Sequence, residues 1–293
     1  MKYKVYIILI SILLTGCKFR KSVEKDIASG LTSAGDEITC EDVYLTVNNE
    51  RITRNSFIYG EIIYINFNDV KGFAKENGKV FPGLVISVTN QAGDTVWKTA
   101  DLYSQYTEGF DYSPLNLTAD LTVAAPMQSK GEYSLFIDIR DSKGEGKFET
   151  KFDFKVRENE LISVETSGVS YNETYLFSQG SNRIITDNKI GFDDNIYVIV
   201  EGLKGFKEEN GMVYPGISIK IIDAANNIIV NSEDLFVKYS EAGVAAADLN
   251  TRVSAHFSSL SGEKFINPLH CETVIWDKKG DARIKATTNM TLE

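Results

Sequence analysis

The sequence predicts an all-β protein: two tandem, homologous β-sandwich domains behind an export signal and a short tether. Three observations carry that prediction. A segment recurs, since residues 71–83 read KGFAKENGKVFPG and residues 204–216 read KGFKEENGMVYPG, and the match runs without a gap to Tyr106 and Tyr239 at an offset of 133. Self-similarity over such a period marks a duplicated unit. Apolar residues alternate with polar ones at period two, as in Leu84, Ile86 and Val88 and in the run KFETKFDFKV from Lys147, which is the pattern of half-buried strands. Turn residues punctuate these runs, with Asn-Gly at 77–78 and 210–211 and Ser-Lys-Gly at 142–144, and no long amphipathic helix interrupts them.

The chain opens as an export signal. Lys2 and Lys4 supply positive charge, and Val5 to Leu14 (VYIILISILL) is an apolar run too short to span a bilayer comfortably. Leu14-Thr15-Gly16-Cys17 follows. This tetrapeptide resembles the lipobox of bacterial lipoproteins, and the resemblance implies removal of residues 1–16, a diacylglyceryl group on the Cys17 thiol and palmitate-type acylation at the new terminus. Two or more acyl chains give stable attachment where one binds marginally. Lys18, Arg20 and Lys21 can then pair with anionic headgroups, at about 1 kcal/mol each. Residues 17–38 lack apolar periodicity, so they read as a flexible tether.

Surface-displayed lipoproteins of Bacteroidota carry an acidic cluster after the lipidated Cys, and this chain departs from that pattern with Lys-Phe-Arg-Lys. The sequence also lacks the Asp after Cys that retains some lipoproteins in the inner membrane. The expected place is the outer membrane facing the periplasm, with surface display as the alternative.

The first sandwich is expected over 39–157, with Ile62 and Tyr64 on one strand phase and Leu84, Ile86 and Val88 on another. The second is expected over 162–293, separable from the first. Ile63-Tyr64-Ile65 matches Ile196-Tyr197-Val198, and Asp141-Ser142-Lys143-Gly144 matches Asp277-Lys278-Lys279-Gly280. Gly131-Glu132 against Gly262-Glu263 puts about five extra residues of the second copy near 264–268. Strands at this spacing argue for sandwiches, and the whole resembles immunoglobulin-like lipoproteins of the bacterial envelope. That resemblance is one of fold, which by itself implies no function.

The chain carries a net charge of −10, and −12 without Lys2 and Lys4. Nucleic acid is therefore not an expected partner, because its binding needs clustered cations. Cys40 and Cys271 stand at opposite ends of the mature chain, in different domains, and read as free thiols; Cys271 aligns with Leu135, a core position. Glu76-Asn77-Gly78 and Glu209-Asn210-Gly211 read as turns rather than ligands. The two histidines, His256 and His270, make no zinc spacing, and His270 and Cys271 point to opposite faces of a strand. Asp193, Asp194 and Asp223, with Asn195, Asn226 and Asn227, form the candidate calcium loops, and turn chemistry enriches the same residue types. No cofactor is expected.

The copies differ most in aromatics. Trp97, Tyr103, Tyr106, Phe110 and Tyr112 of the first copy align, at the same register, with Val230, Phe236, Tyr239, Gly243 and Ala245. Tyr103 and Tyr106 keep aromatic partners and read as packing residues. Trp97, Phe110 and Tyr112 are the candidate ligand or partner surface, against a locally different core or an interdomain contact. The expected function is a lipid-anchored, non-enzymatic binding or scaffolding module whose partners are the membrane and an envelope protein or glycan. One rival is a glycan-binding lipoprotein of an outer-membrane uptake system with those three aromatics as its platform. The other is a hydrolase whose residues carry no recognisable motif.

Overall fold

The computed structural model describes residues 21–26, 30–259 and 265–293; Cys17 and the export signal lie outside them. The first half holds β1 (Lys21–Lys25), β2 (Thr32–Asp36), β3 (Asp42–Val47), β4 (Glu50–Ile52), β5 (Ser56–Ile58) and β6 (Ile62–Asn68). It continues with β7 (Pro82–Asn90), β8 (Thr95–Lys98), β9 (Leu117–Thr122), β10 (Glu132–Asp141) and β11 (Lys147–Arg157). One sheet runs β1-β2-β11-β10-β7-β8, with β5 parallel to β11, and faces a second sheet ordered β4-β3-β6-β9.

The second half repeats this plan in β12 (Ile162–Ser167), β13 (Glu173–Ser178), β14 (Arg183–Ile185), β15 (Lys189–Ile190), β16 (Asp194–Glu201), β17 (Met212–Val213), β18 (Pro215–Ile222) and β19 (Ile228–Ser232). Then come β20 (Val244–Ala245), α1 (Ala246–Thr251), β21 (Arg252–Ser259), β22 (Leu269–Asp277) and β23 (Arg283–Leu292). Its sheets run β12-β23-β22-β18-β19 and β14-β13-β16-β21. The molecule is thus an all-β pair of immunoglobulin-like sandwiches, and among the described strands no sheet continues from β11 into β12.

Period-two patterning explains the cores. In β11 the residues Phe148, Thr150, Phe152, Phe154 and Val156 point inward and the intervening ones are exposed or half-buried. Phe148 meets Phe67 of the opposite sheet edge to face at 6.2 Å. The phase of β6 is opposite to expectation: Ile63, Ile65 and Phe67 are buried while Tyr64 is exposed. The run IIYINF is apolar on both phases, and pairing with Ala119 and Leu121 of β9 selects the inner one.

Two further expectations are corrected. The tether over 17–38 is too long, because β2 pairs with β11 and β1 pairs with β2. The inward positions of β2 are Ser33 and Gly35, and the Ser33 hydroxyl lies 3.3 Å from that of Thr150. Small polar residues fill a shallow edge of the core there, so a hydropathy pattern could not reveal the strand. The extra residues of the second copy are also misplaced. Leu117 and Val253 occupy equivalent ladder positions opposite Phe67 and Val200, as do Leu135 and Cys271 opposite Val88 and Ile221. The offset has reached 136 by β21, so the insertion falls between Tyr239 and Val253, where the chain folds α1.

Candidate functional site: the aromatic end of the first domain

The segment between β8 and β9 crosses one end of the first sandwich. Asp101 starts it: its Oδ1 accepts the backbone N–H groups of Leu84 and Tyr103, both at 2.9 Å, while Leu102 N–H donates to Leu84 O. Gly109 then turns the chain at φ +65°, with its Cα so close to Phe81 that a Cβ would lie 2.8 Å from the ring. Phe110 and Val80 exchange backbone hydrogen bonds of 2.8 Å, and Val70 N–H donates to Leu115 O. The crossing is therefore pinned at four points, and the rings between the pins sit on a fixed backbone.

Those rings form one cluster. Tyr103 lies 5.9 Å from Tyr106 and 5.7 Å from Phe110, Tyr106 lies 5.3 Å from Phe110, and Phe110 lies 6.4 Å from Tyr112. Tyr103 and Phe110 are half-buried against the core, and burial pushes the Tyr103 phenol up. Tyr106 is 57% exposed, Tyr112 69% and the adjacent Leu102 43%. The expected trio is thus only partly assembled. Phe110 and Tyr112 come together, but Trp97 stands opposite Val88 on the edge strand β8, half-buried on the core, with no ring contact to the cluster among the described residues. Tyr106, expected to be a packing residue, presents its ring to solvent instead.

The second domain keeps the frame and drops the rings. Asp234 repeats the Asp101 clamp on Ile217 and Phe236, and Phe236 packs on Tyr239 at 5.2 Å. The partner of Phe110 is Val244, which pairs with Val213, and not Gly243; Gly243 instead repeats Gly109, packed beside Val213 and Tyr214. Two residues on from Val244 is Ala246. The second copy carries one additional residue between Tyr239 and Gly243, which displaced the sequence alignment by one. Lys278 fills the same corner, paired with Asp234 at 2.6 Å and donating to Phe236 O and Ser240 Oγ, where the first copy has Ser142.

The repeated motifs are structural. Asn77 and Gly78 both have positive φ between the bridged residues Glu76 and Lys79, and Asn210 and Gly211 do the same. Glu76 pairs with Lys143 and Glu209 with Lys279. The buried Asp141 accepts from Ala74 and Lys143 N–H, and Asp277 from Lys207 and Lys279 N–H. The calcium candidates are used in turns. Asp194 accepts from Gly180 N–H and Ser178, and Asp223 accepts from Ala225, Asn227 N–H and Asn227 Nδ2. Hydrogen bonding from Asn227 holds the Asp223 carboxyl below its ordinary range, and Asp193 sits at φ +56°. Among the described residues no group of three His, Cys, Asp or Glu is arranged to hold a metal. Cys40 and Cys271 are free, His256 stacks on Tyr197, and exposed His270 bonds Asn289 while Cys271 faces the core.

A cluster that the sequence did not single out lies where the domains meet. Tyr175 and Ile199, on the outer face of the β13–β16 pair, are buried in the first domain's core cluster, and Tyr59 packs on Tyr175 at 5.4 Å. Glu173 is 2% exposed and accepts from Ser129 N–H at 2.5 Å and Ser129 Oγ at 2.8 Å. Tyr175 donates to Glu201 at 2.5 Å, and Ala125 N–H donates to the Tyr59 hydroxyl. Burial pushes Glu173 up to about 6, with Glu158 and Glu201 adding to the rise. The continuous apolar run Ile196 to Val200 was the available signal, since a strand apolar on both phases is buried on both faces.

A polar cavity of about 280 Å³ on the outer face of β10 and β11 is lined by Glu132, Lys151, Asp153 and Lys155. Its charges neutralise each other, Lys155 with Glu132 and Lys151 with Asp153.

No protein-family model matches the chain, and no curated protein matches it. Solved structures that align with it include the fibronectin(III)-like modules of Clostridium thermocellum CbhA, at 10% identity over 85% of this chain and 94% of that one, TM-score 0.21. The C-terminal domain of the Streptococcus agalactiae AgI/II polypeptide BspA aligns at 13% identity over 85% and 100%, TM-score 0.25. That of the Streptococcus pyogenes antigen I/II-family protein AspA aligns at 12% over 86% and 100%, TM-score 0.26.

Proposed function

We propose that this chain is a lipid-anchored, non-catalytic binding module of the bacterial envelope, held by Cys17 and binding through the aromatic end of its first domain. The observation that carries the reading is the ring cluster of Tyr103, Tyr106, Phe110 and Tyr112, with two tyrosines largely open to solvent on a loop pinned by Asp101. A fold needs no such rings there, because the sister domain makes the same crossing with Val244 and Ala246. Exposed amphipathic rings on a rigid frame supply contact area at low cost in side-chain entropy.

The test pairs two measurements. Tyr106→Ala/Tyr112→Ala should keep the wild-type unfolding midpoint, since both rings are exposed. In the Cys17→Ser protein, where no acyl chain masks the contribution of the rings, the same pair should weaken binding to isolated envelope membranes by at least about thirtyfold if these rings are the binding hot spot. Unchanged binding by the double variant in that background would refute the assignment of the surface.

A further inference from the structure

β1 and β2 bring the start of the mature chain to the same aromatic end. β1 begins at Lys21, four residues after Cys17, so at most about 14 Å of chain separates the lipidated residue from the sheet. The end of the sandwich at which β1 begins follows from the ladder. Lys21 pairs with Asp36, Asp36 with Lys147, Lys147 with Arg140, and Arg140 with Gly83 at the start of β7. Leu102 is bonded to Leu84 and Phe110 to Val80. The anchor and the ring cluster therefore share one end of the domain, separated sideways by about four strand spacings, or about 19 Å. The other end is taken by the second domain, through Tyr59 against Tyr175 and Ser129 against Glu173, and by the chain leaving at Arg157.

We propose that the occupant of the aromatic end is the bilayer itself: Leu102, Tyr106 and Tyr112 seat in the headgroup–acyl boundary of zwitterionic phospholipid, so that the first domain stands on the membrane and the second points away. This rests on lipid attachment at Cys17. Tyrosine suits that boundary, with its ring among the first methylenes and its hydroxyl among the headgroups. Glu108 and Asp111 flank the rings, so insertion of the rings needs no anionic lipid, which Lys18, Arg20 and Lys21 beside the anchor would attract separately. The second domain, farther from the lipid, carries Val244 and Ala246 in place of Phe110 and Tyr112.

The experiment uses the lipidated full chain reconstituted in vesicles of phosphatidylethanolamine and phosphatidylcholine containing a lipid spin-labelled high on its acyl chain. Tyr112→Trp and Leu102→Trp place reporters at the aromatic end, and Ala246→Trp places one at the matching point of the second domain. All three keep Trp97 and Trp276, so differences between them belong to the new reporter. Quenching of Tyr112→Trp and Leu102→Trp in these vesicles, which hold no anionic lipid, without quenching of Ala246→Trp, is the expected result. Protein that floats with the vesicles while all three reporters stay unquenched would overturn the docking and leave the anchor standing. Wild-type protein absent from the floating fraction would overturn the anchor and the docking with it.

Discussion

Glu173 offers the sharpest physical test of how the two domains are joined. Its carboxylate is taken out of water at the junction, beside Glu158 and Glu201, and among the described residues the Ser129 N–H and hydroxyl bind it directly. Lys130 lies on Glu158, at 3.0 Å. Because the folded carboxyl sits at about 6 and its ordinary value is 4.5, the folded state binds more protons than the unfolded chain between those values. Its contribution to stability is therefore greatest below 4.5 and declines as pH rises through about 6, by about 2 kcal/mol in all. Glu173→Gln keeps an oxygen to accept from Ser129 N–H and an amide that can donate to Ser129 Oγ, while removing the charge. It should be more stable than wild type at pH 7.5, by up to about 2 kcal/mol, and about equal at pH 4.5. Glu173→Ala leaves the Ser129 N–H without its partner and should cost about 1–3 kcal/mol at pH 4.5, where the wild-type carboxyl is protonated. Urea unfolding at both pH values reads all three proteins. A Glu173→Gln protein as destabilised as Glu173→Ala, or one keeping the full wild-type decline between pH 4.5 and 7.5, would show that ionisation at this junction has been misjudged.

Removing the buried clamp Asp141 by Asp141→Ala should cost about 3 kcal/mol, because two backbone N–H groups lose a charged acceptor; Asp277→Ala should match it within about 1 kcal/mol, and urea midpoints compare the two. Burial pushes the Cys40 thiol up to about 11 and the Cys271 thiol up to about 12, so in the Cys17→Ser protein both should resist a thiol reagent at pH 8 until urea unfolds it, a difference read by colorimetric titration. Cys17→Ser should also abolish acyl labelling and shift the protein from membrane pellet to supernatant on cell fractionation. The isolated segment 162–293 exposes Tyr175 and Ile199, and should unfold at lower urea than the same domain within the full chain.

What the sequence revealed depended on whether the deciding contacts lie within a repeat unit or outside it. The strands of each sandwich were legible because burial alternates with the pleat, as in β11, and the turns because Asn77 and Gly78 adopt positive φ that few other residues tolerate. β2 was not legible, since Ser33 and Gly35 fill its inward positions and its ladders to β1 and β11 define it. The phase of β6 was not legible for the related reason that Ile62, Ile63, Tyr64 and Ile65 are apolar on both sides. At the candidate site, aligning the copies pairs Phe110 with Gly243 and Tyr112 with Ala245, one residue off, because the additional residue after Tyr239 is invisible to identity and visible only in the Val213–Val244 pairing.

The same distinction bears on how the molecule is oriented. A tether of twenty residues would leave the first domain free to turn any face to the membrane, and its aromatic end would then be one surface among several. Pairing of β1 with β2 removes that freedom, because the chain enters the sheet four residues after Cys17 and at the end that carries Tyr106 and Tyr112. The second domain closes the opposite end by burying Tyr175 and Ile199 against it, with Glu173 held by Ser129. With Cys17 lipidated as proposed, orientation follows from two features that composition does not show: an edge strand built on small residues, and an apolar outer sheet face that finds its partner in the neighbouring domain. Loosening the first should uncouple the aromatic end from its proposed seat on the membrane. Replacing Ser33 with Pro, which removes a ladder donor and fixes φ, is expected to detach β1 and β2 from β11. Reporter quenching at Tyr112→Trp should then fall while flotation with vesicles persists; quenching unchanged in that background would mean that the rings find the bilayer without the strand.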